Sequence, residues 1–209
     1  LLLLGERGEM LGGAIAAWQL GIVGVHVHGG ERSGTVEEPV RHAISKLSGY
    51  HLVATGESRE RLIRMGEAPQ RIFVTGAPGL DGLEADAAMD VQECRATLGL
   101  PKEGAFALVV FHPVVQQAGD AYAQTAAMLH ALGAVNLPVL WLEPNADAGS
   151  LEVLRALDAL ALPSGSRRLR HLARPLFCAA MRHCAVMLGN SSAGIIEAAS
   201  FGTPVVNVG

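Results

Sequence analysis

The sequence predicts an α/β fold built from two doubly wound parallel sheets, and three observations predict it. Short apolar runs alternate with helical patterns throughout the 209 residues, which is the signature of parallel βαβ units. The texture changes after Gly76-Ala77-Pro78-Gly79 to a polar helical stretch around Asp86–Leu98, ending at Gly99-Leu100-Pro101, which divides the alternation into two series. Half of the residues are hydrophobic and only 4% are aromatic, ample Ala, Val, Leu and Ile for a packed core.

In the first series Leu1–Leu4 reads as a strand, residues 9–20 as a helix, and Ile22–Val27 as a strand. A helix near residues 38–47, a strand at His51–Ala54, a helix at 57–65 and a strand at 71–74 follow. The second series opens with a strand at 105–111, then a helix near 116–132, a strand at 138–142 and a helix near 149–160. A weak strand at 168–172 and a helix at 176–183 precede the closing segment. There Ala185–Leu188 reads as a buried strand, Asn190-Ser191-Ser192 as a turn, Ile195–Phe201 as a short helix, and Val205–Val208 as a strand. The expected domains are 1–85 and 102–209, joined by a linker at 86–101. Neither end of the chain coincides with a natural domain boundary, so an internal fragment with both domains incomplete is expected.

No apolar run approaches the roughly 18 residues of a membrane span, and no signal peptide precedes the first strand. The formal net charge of −4 includes no long basic stripe, which argues against nucleic acid as a partner. The densest basic cluster, Arg167, Arg168 and Arg170, reads as a solvated loop. Cys94, Cys178 and Cys184 are odd in number and lack metal-site spacing, so neither a disulfide framework nor a zinc ribbon is expected. A cytoplasmic location fits this usage.

Ligands of doubly wound sheets bind beyond the carboxyl ends of the strands, so the residues there are read first for function. Gly5-Glu6-Arg7 follows the first strand, His26-Val27-His28-Gly29-Gly30-Glu31 closes the second, and Gly34-Thr35-Val36-Glu37-Glu38-Pro39-Val40-Arg41-His42 opens the next helix. Three adjacent loops thus bring acids, imidazoles and guanidinium groups together, although Glu37 and Glu38 could equally complement the dipole of their helix. His26 and His28 alternate on one strand, but no third ligand has metal-site spacing, so no metal is expected. In the second series Phe111-His112-Pro113 and Glu143-Pro144-Asn145-Ala146-Asp147 end two strands, each proline stopping the pairing. His112 reads either as a phosphate ligand or as a strand-end histidine. At Gly189-Asn190-Ser191-Ser192-Ala193-Gly194, free amides, hydroxyls and a helix dipole would converge on an anion such as a diphosphate. The plainer alternative is that Ser192 only caps the helix.

Taken together, the blocks His26–Glu31, Arg41–Leu47, His112-Pro113-Val114, Pro144–Gly149 and Gly189–Gly194 resemble the UDP-N-acetylglucosamine 2-epimerase family, in particular its hydrolysing, sialic-acid-pathway branch. The resemblance covers nearly the whole chain in the family's order. It implies two Rossmann-like domains (a GT-B-like arrangement) facing across a cleft, with the nucleotide held mainly by the second. It further implies that Ser191, Ser192 and Glu197 contact UDP, Glu197 at the ribose hydroxyls. Arg7 and His112 would reach the diphosphate or sugar, Asn145 and Asp147 would line the cleft, and Phe177 would lie near the uracil.

The implied reaction eliminates UDP to give a 2-acetamidoglucal and adds water to yield N-acetylmannosamine, with Glu6, His28 and Glu37 as candidate acid–base groups and no organic cofactor. The expected partner is a UDP-sugar substrate, with no membrane partner; the sequence leaves a homo-oligomer open, the family being commonly oligomeric. Two positions depart from the family's usual pattern, Glu6 and Glu37 standing where Asp is usual. Competing readings are a non-hydrolysing epimerase, a glycosyltransferase of the same architecture, and a non-catalytic nucleotide-sugar binding module.

Overall fold

A computed structural model describes residues 1–34 and 37–208. Thr35 and Val36 of the loop singled out above, and the terminal Gly209, lie outside the described residues. The chain divides into two compact units, Leu1–Pro78 and a second from Gly79 onward.

The first unit runs β1 (Leu2–Leu4), α1 (Gly8–Gln19), β2 (Val25–Val27), α2 (Glu37–Leu47), β3 (Tyr50–Val53), α3 (Gly56–Arg64) and β4 (Ile72–Val74). Its strands are parallel and ordered β1-β2-β3-β4. Right-handed crossovers that advance in one direction put all three helices on the same face. One row of the register, Leu3, His26, His51 and Ile72, lies under those helices. Leu3 packs with Ala14 and Ile44, and Ile72 with Val53 and Leu62. The alternate row, Leu4, Val27, Leu52 and Phe73, faces away, and along that face Leu2, Leu4, Tyr50 and Phe73 are exposed. Thr55 starts α3 by accepting the Ser58 N–H on its hydroxyl at 3.2 Å, an ordinary N-cap.

The second unit contains α4 (Leu83–Asp86), α5 (Val91–Leu98), β5 (Ala107–Val110), α6 (Ala121–Val135), β6 (Val139–Leu142) and α7 (Ser150–Ala159). It continues with β7 (Arg167–Leu169), α8 (Arg174–His183), β8 (Val186–Gly189), α9 (Ala193–Ile196) and β9 (Val205–Asn207). The parallel order β7-β6-β5-β8-β9 reverses direction between β5 and β8. That reversal is the topological switch point of a doubly wound sheet, where such folds bind their ligands. Every residue of β5 and β6 is buried, as strands covered on both faces must be. Leu108, Val110, Leu140 and Leu142 enter one core with Leu98, Met181 and Met187, whereas Ala107, Val109, Val139 and Trp141 enter the other with Met128, Leu132 and Val153.

Three expectations are corrected. The first domain was expected to reach residue 85 and the linker to span 86–101, but the first unit ends at Pro78 and α5 is part of the second unit's core. Cys94, Leu98 and Leu100 are buried there, while the polar residues that suggested a linker face outward. Asp90 caps α5 through the Gln92 and Glu93 amides, and Gly99 ends it in the left-handed region at φ 66°. The helices expected at 116–132 and 195–201 each divide, a 3-10 turn covering Val115–Asp120 before α6 and another covering Ala198–Phe201 after α9. The arginine cluster is a solvated loop only at Arg170, which follows β7 and is exposed: Arg167 and Arg168 lie in β7, and Arg168 pairs with Glu143 at 2.6 Å and Asp158 at 2.5 Å. No helix among the described residues is long and apolar enough to cross a membrane.

Candidate functional site

In the first unit the chemistry gathers at the carboxyl ends of β1 and β2 and the first turns of α2. Glu6 and Arg7 are consecutive on the loop after β1, and Glu37 and Arg41 lie four apart on α2, hence on one helix face. The two pairs exchange partners. Arg41 Nη2 meets Glu6 Oε2 at 2.9 Å, and Arg7 Nη1 lies 3.9 Å from Glu37 Oε1. The Arg41 side chain is 6% exposed and also donates to the Glu31 carbonyl (3.2 Å) and the Ser33 hydroxyl (3.4 Å). One guanidinium on α2 therefore ties two loops together, those after β1 and β2. The Arg7–Glu37 pair is half exposed and correspondingly loose.

The two acids that open α2 have different work. Glu38 accepts the amides of Ser33 (3.0 Å) and Gly34 (2.8 Å), which hold its carboxyl below the usual range, the Gly34 bond foremost. Glu38 is thus the loop clamp, and Glu37 is the member turned toward Arg7.

His28 leaves β2 at φ 64°, left-handed backbone that a residue with a Cβ seldom adopts. Its Nδ1 meets Glu31 Oε1 at 2.8 Å, and this bond outweighs burial to raise the imidazole above its ordinary value while lowering the Glu31 carboxyl. The turn between them needs its glycines. A Cβ on Gly29 would lie 2.9 Å from His26 Nδ1, and one on Gly30 only 2.4 Å from the Ser58 carbonyl. Because His28 turns out of the strand, it does not continue the face of His26, and the shared-face premise of a metal reading falls. His26 is fully buried, its Nε2 against the Gly5 carbonyl and its Nδ1 against the Ser45 hydroxyl, both at 2.9 Å.

Burial pushes the His26 pKa down to about 4. Between pH 6.5 and 4 the unfolded chain binds a proton that the folded chain refuses, so stability falls as pH is lowered through that window. From pH 7 to pH 5 the loss through His26 is about 2 kcal/mol. Urea unfolding at the two pH values measures it, and His26→Gln should flatten the slope; an unchanged slope would remove His26 as its source.

In the second unit the switch point is where β5 and β8 part company. Their ladder ends at the pair Val110 and Gly189. Gly189 sits at φ 134°, and a Cβ there would lie 1.9 Å from the Val110 carbonyl oxygen, so only glycine fits. Beyond it, Asn190 accepts the His112 N–H on Oδ1 at 2.9 Å and donates from Nδ2 to the His112 carbonyl at 2.6 Å. The Asn145 N–H reaches His112 Nδ1 at 3.3 Å, and Asn145 Oδ1 in turn accepts the Asp147 amide at 3.3 Å. His112, Asn145, Asp147 and the Ser191 turn therefore share one edge of the sheet. Burial lowers the His112 pKa, with the Asp147 charge opposing it.

Ser192 is exposed and Ser191 partly so. Ser192 makes no side-chain cap; the Ser191 hydroxyl instead accepts the Ala193 amide at 3.3 Å. Glu197 is partly buried, a Cβ on Gly79 lying 3.3 Å from its Oε1. Phe177, also partly buried, packs against the core cluster that contains Leu98 and Met181. Three residues of these networks, Glu31, Arg41 and Asn190, lie inside motifs read from the sequence but were not singled out as site residues. For Arg41 the signal was its i,i+4 spacing from Glu37, and for Asn190 an amide directly after a glycine at a strand end.

A sequence model of the family described as UDP-N-acetylglucosamine 2-epimerase matches residues 1–209. A Legionella pneumophila protein named UDP-N,N'-diacetylbacillosamine 2-epimerase (hydrolyzing) is 48% identical over 209 residues, covering 100% of this chain and 55% of that protein. A Neisseria meningitidis protein named UDP-N-acetylglucosamine 2-epimerase is 35% identical, covering 98% of this chain and 54% of its own length. This chain thus spans about half the length of the curated relatives it matches. The fold is also that of the crystal structure of UDP-GlcNAc 2-epimerase from Neisseria meningitidis bound to UDP-GlcNAc, with a TM-score of 0.83, 16% identity, and coverage of 99% of this chain and 58% of that one.

Proposed function

Because the chain belongs to the UDP-N-acetylglucosamine 2-epimerase family, we propose that the whole protein is a hydrolysing UDP-sugar 2-epimerase that converts UDP-N-acetylglucosamine to N-acetylmannosamine and UDP. The observation that carries this reading is the joining of Glu6 and Arg7 to the α2 face that carries Arg41 and Glu37, beside the His28–Glu31 pair. Epimerisation at C2 requires a group to take the C2 proton, and a carboxylate or imidazole at a strand end supplies one.

In the first step the C2–H bond breaks, its electrons form the C1–C2 double bond, and the C1–O bond breaks with UDP leaving as the anion. In the second, water adds across that double bond, hydroxyl to C1 and a proton to the opposite face of C2. Glu6, His28 and Glu37 are the candidates for these proton transfers. Ser191, Ser192, His112, Asn145 and Asp147 supply donors and shape for the departing diphosphate, with Arg7 as a cation, Glu197 at the ribose and Phe177 beside the base. Donors already in place where charge develops are worth more than donors that must reorganise.

A second reading concerns the sugar. The 48% identical Legionella relative is named for UDP-N,N'-diacetylbacillosamine, which supports a 2,4-diacetamido sugar as substrate of the same chemistry. Incubating the whole protein with each UDP-sugar in turn tests both. Release of UDP with N-acetylmannosamine is the expected result; release only from the diacetamido substrate selects the second reading. Return of UDP-N-acetylmannosamine would replace the hydrolysing reaction with the non-hydrolysing one, and UDP binding without turnover would leave a binding module.

A further inference from the structure

The side chain of Asn190 does something that the nucleotide-binding reading does not require of it. The β5–β8 ladder stops at Val110 and Gly189, yet Asn190 adds one more rung with its amide in place of a backbone, taking the His112 N–H at 2.9 Å and giving a hydrogen to the His112 carbonyl at 2.6 Å. Only this orientation of the amide sets donor against acceptor at both atoms. With its backbone held on both sides, His112 presents Nδ1 to the Asn145 N–H at 3.3 Å. A ring nitrogen that accepts a hydrogen bond carries no proton, so a neutral ring carries its proton on Nε2. Burial favours the neutral ring. Three strand ends, those of β5, β6 and β8, thereby meet at one histidine, β8 at its backbone and β6 at its ring.

We propose that Asn190 is a positioning residue which, by clamping the His112 backbone across the switch point, fixes the imidazole as an Nε2–H donor for a phosphate oxygen of a nucleoside diphosphate. The proposal rests on the nucleotide-binding reading for its ligand but not for its geometry, so the two can fail separately. The clamp acts through His112 rather than on the ligand, and a double-mutant cycle isolates that distinction.

The test uses nitrogen-15 spectra of the His112 ring together with UDP titration by calorimetry, in the unmodified protein, Asn190→Ala, His112→Ala and the double variant. The unmodified ring should show a single Nε2–H form, and Asn190→Ala a mixture of the two neutral forms. UDP should bind about tenfold more weakly to Asn190→Ala, the effect of one lost hydrogen bond. In the His112→Ala background the same change should cost less than about twofold. A ring unchanged by Asn190→Ala, or an equal loss of affinity with and without His112, would overturn the proposal, the latter by making Asn190 a direct ligand. If Asn190→Ala does not fold, Asn190→Asp keeps the acceptor for the His112 N–H and sets a charged oxygen against the His112 carbonyl in place of the donor, and its ring spectrum decides. Failure of the unmodified protein to bind UDP would reject the functional reading, leaving the ring spectra to decide the positioning role.

Discussion

Replacing Glu6 with Gln should lower turnover of the whole protein by roughly 10²- to 10⁴-fold, the usual contribution of a general acid or base, with UDP affinity retained. Gln has nearly the same shape and keeps an oxygen for Arg41 Nη2, now 2.9 Å from the Glu6 carboxylate. What it loses is the charge and the ability to take a proton. The Arg41 guanidinium is 6% exposed, so removing its carboxylate also leaves a buried charge poorly compensated, at a cost of about 1–3 kcal/mol in stability. Activity is therefore to be measured well below the variant's unfolding temperature.

Glu6→Asp is the informative companion, because it keeps the charge and withdraws the carboxylate by about one methylene; a loss of up to ~100-fold is expected from misplacement alone. Unimpaired turnover in Glu6→Gln would remove Glu6 from the chemistry and confine it to holding Arg41.

The largest structural effect should come from Gly189→Ala. The added Cβ would stand 1.9 Å from the Val110 carbonyl oxygen and 2.6 Å from its carbon, both backbone atoms of a fully buried central strand. Neither can withdraw without breaking the β5–β8 ladder, and φ 134° is itself a conformation that side-chain-bearing residues avoid. A loss above about 4 kcal/mol is expected, in the range reserved for a severe backbone or core lesion. Circular dichroism and thermal unfolding would report it as a second unit that melts early or does not form. A melting temperature within a few degrees of the unmodified protein would mean that β8 can move away from β5, and the close approach that brings Asn190 to His112 would then not be fixed.

Much of the fold was legible because its signals are local. Four consecutive buried residues in β5 and again in β6 read as apolar runs whatever surrounds them, and Gly99 marks the end of α5 by its own chemistry, whereas its start at Asp90, four residues past Asp86, was not read. The unit boundary was not legible. Residues 86–101 are polar enough to pass for a linker, and only their packing shows that Cys94, Leu98 and Leu100 share a core with Phe106 and Leu108. The divided helices escaped for a related reason: a 3-10 turn keeps helical composition while changing the hydrogen-bond pattern.

By itself the sequence determined the α/β alternation, the strand ends at which chemistry-bearing residues cluster, and the family resemblance carried by the ordered blocks from His26 to Gly194. Only the tertiary structure decided how those residues pair: Glu6 with Arg41 rather than with a neighbour in sequence, Glu38 as a loop clamp and Glu37 turned toward Arg7, and His112 held by an amide 78 residues away. The physical reason is range. Periodicity and turn chemistry are set within a few residues of chain, whereas an ion pair or a side-chain clamp depends on which strand ends the topology brings side by side.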